Sequence, residues 1–222
     1  MLVTSSLADH KVPAEPPPRN IYPTSGYPIL HYVFDKVTKW CESVPPANWN
    51  HEISSPAALL LSHMLINHEL TMLDGSKKTV HDFSGELLMV VNVASRCGLA
   101  PQYETLEAMQ KKYASRGFTV LGVPSGSFMQ ELKNSEDISE YCSTTWGVTF
   151  PMLEKTDVNG RKRHPLYKEL VKTKDGMGLA GPILWNFEKF LVLPDGQIKR
   201  FRPQIKPDSA EIIETIEANL PR

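Results

Sequence analysis

Between residues 87 and 93 the chain reads Leu-Leu-Met-Val-Val-Asn-Val, a run too apolar to face water on either side. It predicts a central strand buried on both faces, spanning 86–94. Ser95-Arg96-Cys97-Gly98 ends the ladder, and Pro101 stands where a first helical residue belongs, with Leu106 and Met109 behind it at helical spacing. A helix over 101–115, closed by Gly117, follows from that pattern. Residues 118–125 (FTVLGVPS) predict a second buried strand, and 135–147 (SEDISEYCSTTWG) a helix ended by its glycine. Residues 148–157 (VTFPMLEKTD) predict a third strand, and 164–173 (HPLYKELVKT) a short helix. A hairpin around Asp74-Gly75 precedes these elements, and a second hairpin turns at Pro194-Asp195-Gly196 before a closing helix over 208–220. The order predicts an α/β, thioredoxin-like fold with a mixed central sheet flanked by helices.

The first 63 residues carry a different pattern. AEPPPRNIYPTSGYP cannot sustain a helix or an inner strand, and only ILHYVFDKVTKWCESV could form one short amphipathic helix. The chain therefore divides into a proline-rich extension, 1–63, expected to be poorly ordered or not native, and a folded domain, 64–222, with Met64 as a possible true start. The apolar residues 57–61 lie too far from the N-terminus to act as a signal core.

Composition narrows the function. Lys and Arg number 24 against 25 Asp and Glu, without the basic run of a nucleic-acid footprint. No apolar stretch reaches the roughly 18 residues needed to span a membrane. Cys41, Cys97 and Cys142 are too few and too separated for a disulfide scaffold, and no pattern of metal-ligand spacing occurs, so neither metal nor cofactor is expected. Such sparse thiols fit a reducing compartment, and the cytoplasm is the expected location. Cys97 falls in a strand-to-helix loop on the carboxyl edge of the sheet, where α/β sites form, near a helix N-terminus whose partial positive charge favours a thiolate. A small buried hydrophobe is the plainer reading of the same residue.

Four stretches, NVASRCGLAPQY, GVPSGSFMQE, YCSTTWGVTFP and WNFEKFLV, occur in order, and together they resemble the glutathione peroxidase family over roughly residues 66 to 220. The resemblance implies a peroxidase of hydrogen peroxide and of organic or lipid hydroperoxides. Its nucleophile would be Cys97, where other members carry selenocysteine, surrounded by Gln130, Trp185 and Asn186. It also implies that Cys142 resolves the Cys97 sulfenic acid as a disulfide, which thioredoxin then reduces. These residue types suit the chemistry. Amide and indole N–H groups can stabilise a thiolate without neutralising it, and can hold peroxide oxygens as charge develops.

Each has a plainer alternative: core packing for Trp185, a turn cap for Asn186, a solvated helix start for Gln130, and a core position for Cys142 on a face with Ile138 and Tyr141. Two features depart from the family pattern. The loop before Gln130-Glu131 is one residue short, leaving its path open, and Ala100 replaces the usual threonine. Residues 159–184 are too short for the loop of tetrameric members, and the arginine set that holds glutathione is missing. A monomer using thioredoxin is therefore the expectation. A glutathione-dependent one-cysteine peroxidase, or a redox sensor using the same disulfide, are the alternatives.

Overall fold

A computed structural model describes residues 68–221. The expectations for residues 1–63, for Cys41, for a start at Met64 and for the boundary between them lie outside the described residues.

Strand β3 (Leu87–Val93) is buried at every position and sits inside a four-stranded sheet. Parallel β4 (Phe118–Pro124) flanks it on one side and antiparallel β5 (Lys189–Val192) on the other, with β6 (Ile198–Phe201) beyond β5. Side chains alternate between the two faces of a strand, so β3 feeds two cores. Leu87, Met89, Val91 and Val93 pack with α1 (Gln102–Tyr113), α2 (Ser135–Trp146) and α4 (Ala210–Asn219). Leu88 and Val90 pack with Leu70 of β1 (Glu69–Thr71), the hairpin partner of β2 (Lys77–Thr79), and with α3 (Pro165–Leu170). This is the mixed sheet with helices on both sides that the periodicity predicts. No helix among the described residues is long and apolar enough to cross a membrane.

The third predicted strand differs. Residues 148–157 do not form a regular strand but touch β4 at two isolated bridges, Gly122 with Met152 and Ser125 with Thr156. Three steps along β4 are matched by four along this segment, so an extra residue breaks the ladder between them. Pro151 has no N–H to give, although its carbonyl accepts from Gly122 N–H. The close approach is possible because residue 122 is glycine: a Cβ there would meet the Phe150 and Met152 side chains at 3.1 Å.

The β5–β6 hairpin is tied down by charge. Glu188, fully buried, accepts from Arg200 Nε at 2.5 Å and from an Arg202 terminal nitrogen at 2.9 Å, while Arg202 Nε reaches Asp175 at 2.6 Å. Arg200 also donates to the carbonyls of Thr173 and Pro182, so the loop between α3 and β5 is clamped onto the hairpin. Next to this network Lys189 is also fully buried, donating to the carbonyls of Pro203 and Ile205.

Burial pushes the Lys189 amine down to about 7. Above that pH the folded chain has released a proton that the unfolded chain holds up to the ordinary lysine value of roughly 10. Unfolding then takes up a proton, and stability rises with pH across that interval. Relative to Lys189→Met, the wild type should gain up to about 1.4 kcal/mol of stability per pH unit between 7 and 10. Urea denaturation of both proteins at pH 7 and pH 9 measures it, and parallel behaviour of the two would refute it.

Candidate active site

Cys97 lies in the turn that leads from β3 into α1, and is only 5% exposed. Successive turns, with Ala100 N–H bonded to the Cys97 carbonyl and Gln102 N–H to that of Leu99, wind the chain into the helix. Pro101 occupies the N-cap, one position before the place the pattern predicts, and α1 has no side-chain cap. The Cys97 sulfur accepts from Leu99 N–H at 3.4 Å. Cys97 and Cys142 are both free thiols.

The loop bearing Gln130 reaches this turn despite its shortness. Arg96 N–H donates to the Gln130 carbonyl at 2.9 Å, and Ser95 N–H to a carboxylate oxygen of Glu131 at 3.1 Å. Just before Gln130 the loop turns at Met129, a non-glycine residue in the left-handed region with φ 56°. Its side chain is turned outward, 93% exposed.

Trp185 and Asn186 approach from the loop before β5. Asn186 Nδ2 donates to Gln130 Oε1 at 2.9 Å, which leaves the Gln130 NH2 free to donate. Trp185, 42% exposed, packs its ring on Phe128 at 5.1 Å between centroids. Trp185 is thus not a core residue. The turn following it is left-handed at Phe187, φ 65°. The fold therefore brings Gln130, Trp185 and Asn186 together at the carboxyl end of β3, beside the Cys97 turn.

Cys142 is elsewhere. It lies on the inner face of α2 in the same hydrophobic cluster as Cys97, 2% exposed, and burial pushes its thiol up to about 11. The Tyr103 hydroxyl is buried against it without the alignment of a hydrogen bond.

Sequence reasoning missed Asn92. Its Nδ2 donates to the Trp185 carbonyl at 3.1 Å, its Oδ1 accepts from Glu188 N–H at 3.1 Å, and its own carbonyl accepts from Phe187 N–H at 2.6 Å. The signal was present: a polar side chain in an otherwise wholly apolar strand.

The family model for glutathione peroxidase matches residues 65–171. The chain is 46% identical over 169 residues to the thioredoxin/glutathione peroxidase BtuE of Escherichia coli, covering 67% of this chain and 92% of that protein. It is 46% identical over 152 residues to the hydroperoxy fatty acid reductase gpx1 of Synechocystis, covering 65% of this chain and 89% of that one. With the glutathione peroxidase-like peroxiredoxin HYR1 of Saccharomyces cerevisiae it shares 48% identity over 136 residues, 60% of this chain and 82% of that one. Among solved structures, the crystal structure of Trgpx in apo form superposes with a TM-score of 0.54 at 34% identity, over 71% of this chain and 99% of that chain.

Replacing Asn92 by alanine strands the Trp185 carbonyl and the Glu188 amide, each of which the side chain now satisfies. We expect a loss of about 2–4 kcal/mol, read from the urea midpoint. A loss below about 0.5 kcal/mol would show that the turn over 185–188 holds without it.

Proposed function

This chain belongs to the glutathione peroxidase family, and we propose that Cys97 is its peroxidatic nucleophile, with Gln130, Trp185 and Asn186 as the donors that hold the peroxide. It is a thiol peroxidase, reducing peroxide through cysteine. The observation that carries the assignment of residues is the convergence on Gln130: its carbonyl is bound by Arg96, beside the nucleophile, and its side chain by Asn186. The Cys97 thiolate attacks one peroxide oxygen, the O–O bond breaks, and the sulfur becomes a sulfenic acid while the second oxygen leaves as water or alcohol. The free NH2 of Gln130 and the partly exposed indole of Trp185 are the donors suited to the leaving oxygen.

Cys142 then resolves the sulfenic acid as a disulfide. A disulfide needs Cα atoms within about 7 Å, and Cys142 is held in a helix with its thiol in the core, so α2 opens during the cycle. The reductant is a thioredoxin-type dithiol protein. A groove of about 280 Å³, lined by Asp74, Lys78, Ser139 and Ser143, reaches Cys142 and gives an incoming protein thiol a path to it. Relatives named glutathione peroxidase-like peroxiredoxin support the same reading, and the one named thioredoxin/glutathione peroxidase is compatible with either donor. For the substrate, the exposed side chains of Met129, Leu184 and Trp185 offer an apolar surface beside the site, suited to the chain of an organic hydroperoxide. Relatives named hydroperoxy fatty acid reductases agree with it.

NADPH oxidation, coupled through thioredoxin and its reductase or through glutathione and its reductase, tests the cycle. Thioredoxin-driven turnover should fall to background in both Cys97→Ser and Cys142→Ser. Glutathione-driven turnover that survives Cys142→Ser would return the one-cysteine mechanism. A disulfide formed without turnover by either donor would favour a sensor. In parallel, hydrogen exchange over residues 139–147 should accelerate after peroxide treatment, and equal protection in both redox states would count against opening of α2.

A further inference from the structure

The turn that leads into α3 carries three consecutive cations, Arg161, Lys162 and Arg163, against one carboxylate, Asp157. Arg161 and Lys162 are exposed, whereas Arg163 is half-buried and held. Its terminal nitrogen Nη2 donates to Asn159 Oδ1 at 3.4 Å, and its Nε is buried without a partner. The other terminal nitrogen, Nη1, makes no hydrogen bond and is not buried, so it faces solvent. Among the described residues Arg163 forms no ion pair. The same Asn159 ties the turn to the loop before β5: its Nδ2 donates to the Ile183 carbonyl at 2.8 Å, and its Oδ1 accepts from Ile183 N–H at 3.1 Å. Leu184 and Trp185 come next, and two residues of chain span at most about 7 Å. A second tie runs through the Gln130 loop. Ser127 Oγ accepts from the N–H groups of Val158 and Asn159, at 3.0 and 3.3 Å, and the following residue, Phe128, lies against Trp185. An unpaired guanidinium is thus fixed at one end of a continuous stretch that passes the exposed Leu184 side chain and ends at Trp185.

We propose that Arg163 binds the carboxylate of a hydroperoxide that carries a free acid at the far end of an apolar chain, and so selects hydroperoxy acids over uncharged hydroperoxides. The inference rests on Cys97, Gln130 and Trp185 forming the peroxide site. Charge and apolar surface occur in the order such a molecule presents them: guanidinium for the carboxylate, Leu184 for the chain, Trp185 for the hydroperoxyl group. A guanidinium offers a carboxylate directed, charge-assisted hydrogen bonds, and one already held by Asn159 loses less freedom on binding than the exposed Arg161 or Lys162. The cations of the turn also attract the anion from solution and raise its encounter rate. Arg96 is the rival cation, exposed and next to the nucleophile. It adjoins Cys97 directly, so a carboxylate bound there would leave no apolar stretch between itself and the reacting sulfur for the chain to cover.

The rate of Cys97 oxidation in the pre-reduced full-length protein tests this, followed by loss of the thiol. Three peroxides are compared: a hydroperoxy fatty acid below its micelle concentration, the methyl ester of the same molecule, and hydrogen peroxide. No electron donor is added, so the result does not depend on which reductant completes the cycle. At low ionic strength the wild type should react with the acid about tenfold faster than with the ester. High salt should narrow the gap, because part of it is long-range attraction. Arg163→Gln should bring the acid-to-ester ratio down to about one, with the loss confined to the acid, and Arg163→Lys should keep part of the preference. Arg163→Lys and the salt series serve as the test if Arg163→Gln does not fold. Equal rates for acid and ester in the wild type would overturn the proposal. So would a preference that survives Arg163→Gln and disappears in Arg96→Gln. Failure of Cys97 to react with any of the three peroxides would overturn the assignment of the nucleophile itself, and the proposal with it.

Discussion

An amide side chain in a fully buried strand is costly unless both of its ends are bonded, and Asn92 meets that condition by building a turn. The NH2 takes the Trp185 carbonyl and the oxygen takes the Glu188 amide, while the backbone carbonyl of the same residue takes Phe187. The turn carrying Trp185 and Asn186 is thereby hung on β3. The Cys97 turn is the direct continuation of β3. Both halves of the site thus share one rigid strand as their reference. Gln130 is then located by its bonds to each half, to Arg96 on one side and to Asn186 on the other.

This arrangement carries strain at two places. Met129 and Phe187 are non-glycine residues in the left-handed region, and each immediately flanks a proposed donor, Gln130 or Asn186. Such residues cost about 1–3 kcal/mol each and persist only where their surroundings over-determine them. Phe187 is fully buried, edge-on to Tyr103, and is followed by Glu188 with its two arginines. Met129 has no burial to offset its conformation and is kept by its own N–H bond to Gly126 and by the bonds of the residues after it, Gln130 to Arg96 and Asn186 and Glu131 to Ser95.

Much of this was legible in the chain. An apolar run, a proline and a glycine were enough to put Cys97 between β3 and α1, because burial and backbone chemistry act locally there. Both hairpins and α2 with its terminal Gly147 were read the same way. Residues 148–157 misled because they alternate like a strand, while the extra residue opposite β4 depends on how Phe150 and Met152 meet Gly122. The Asn186–Gln130 bond joins positions 56 apart in sequence, and no local rule reports such a pairing. The resemblance supplied the proposed donors but not what orients them. Asn92 stood in view in the strand, and only its contacts assign it.

The irregular segment along β4 has a consequence for what happens at the sheet's margins. Each outer strand is covered over part of its length by chain that is not strand: β4 by residues 150–156, and β6 by the bridge from Asp175 to Arg200. An open strand edge is a template on which loose polypeptide can add and aggregate. A helix that opened once per cycle, as proposed for α2, would release such polypeptide repeatedly, and the blunted edges would offer it little to join.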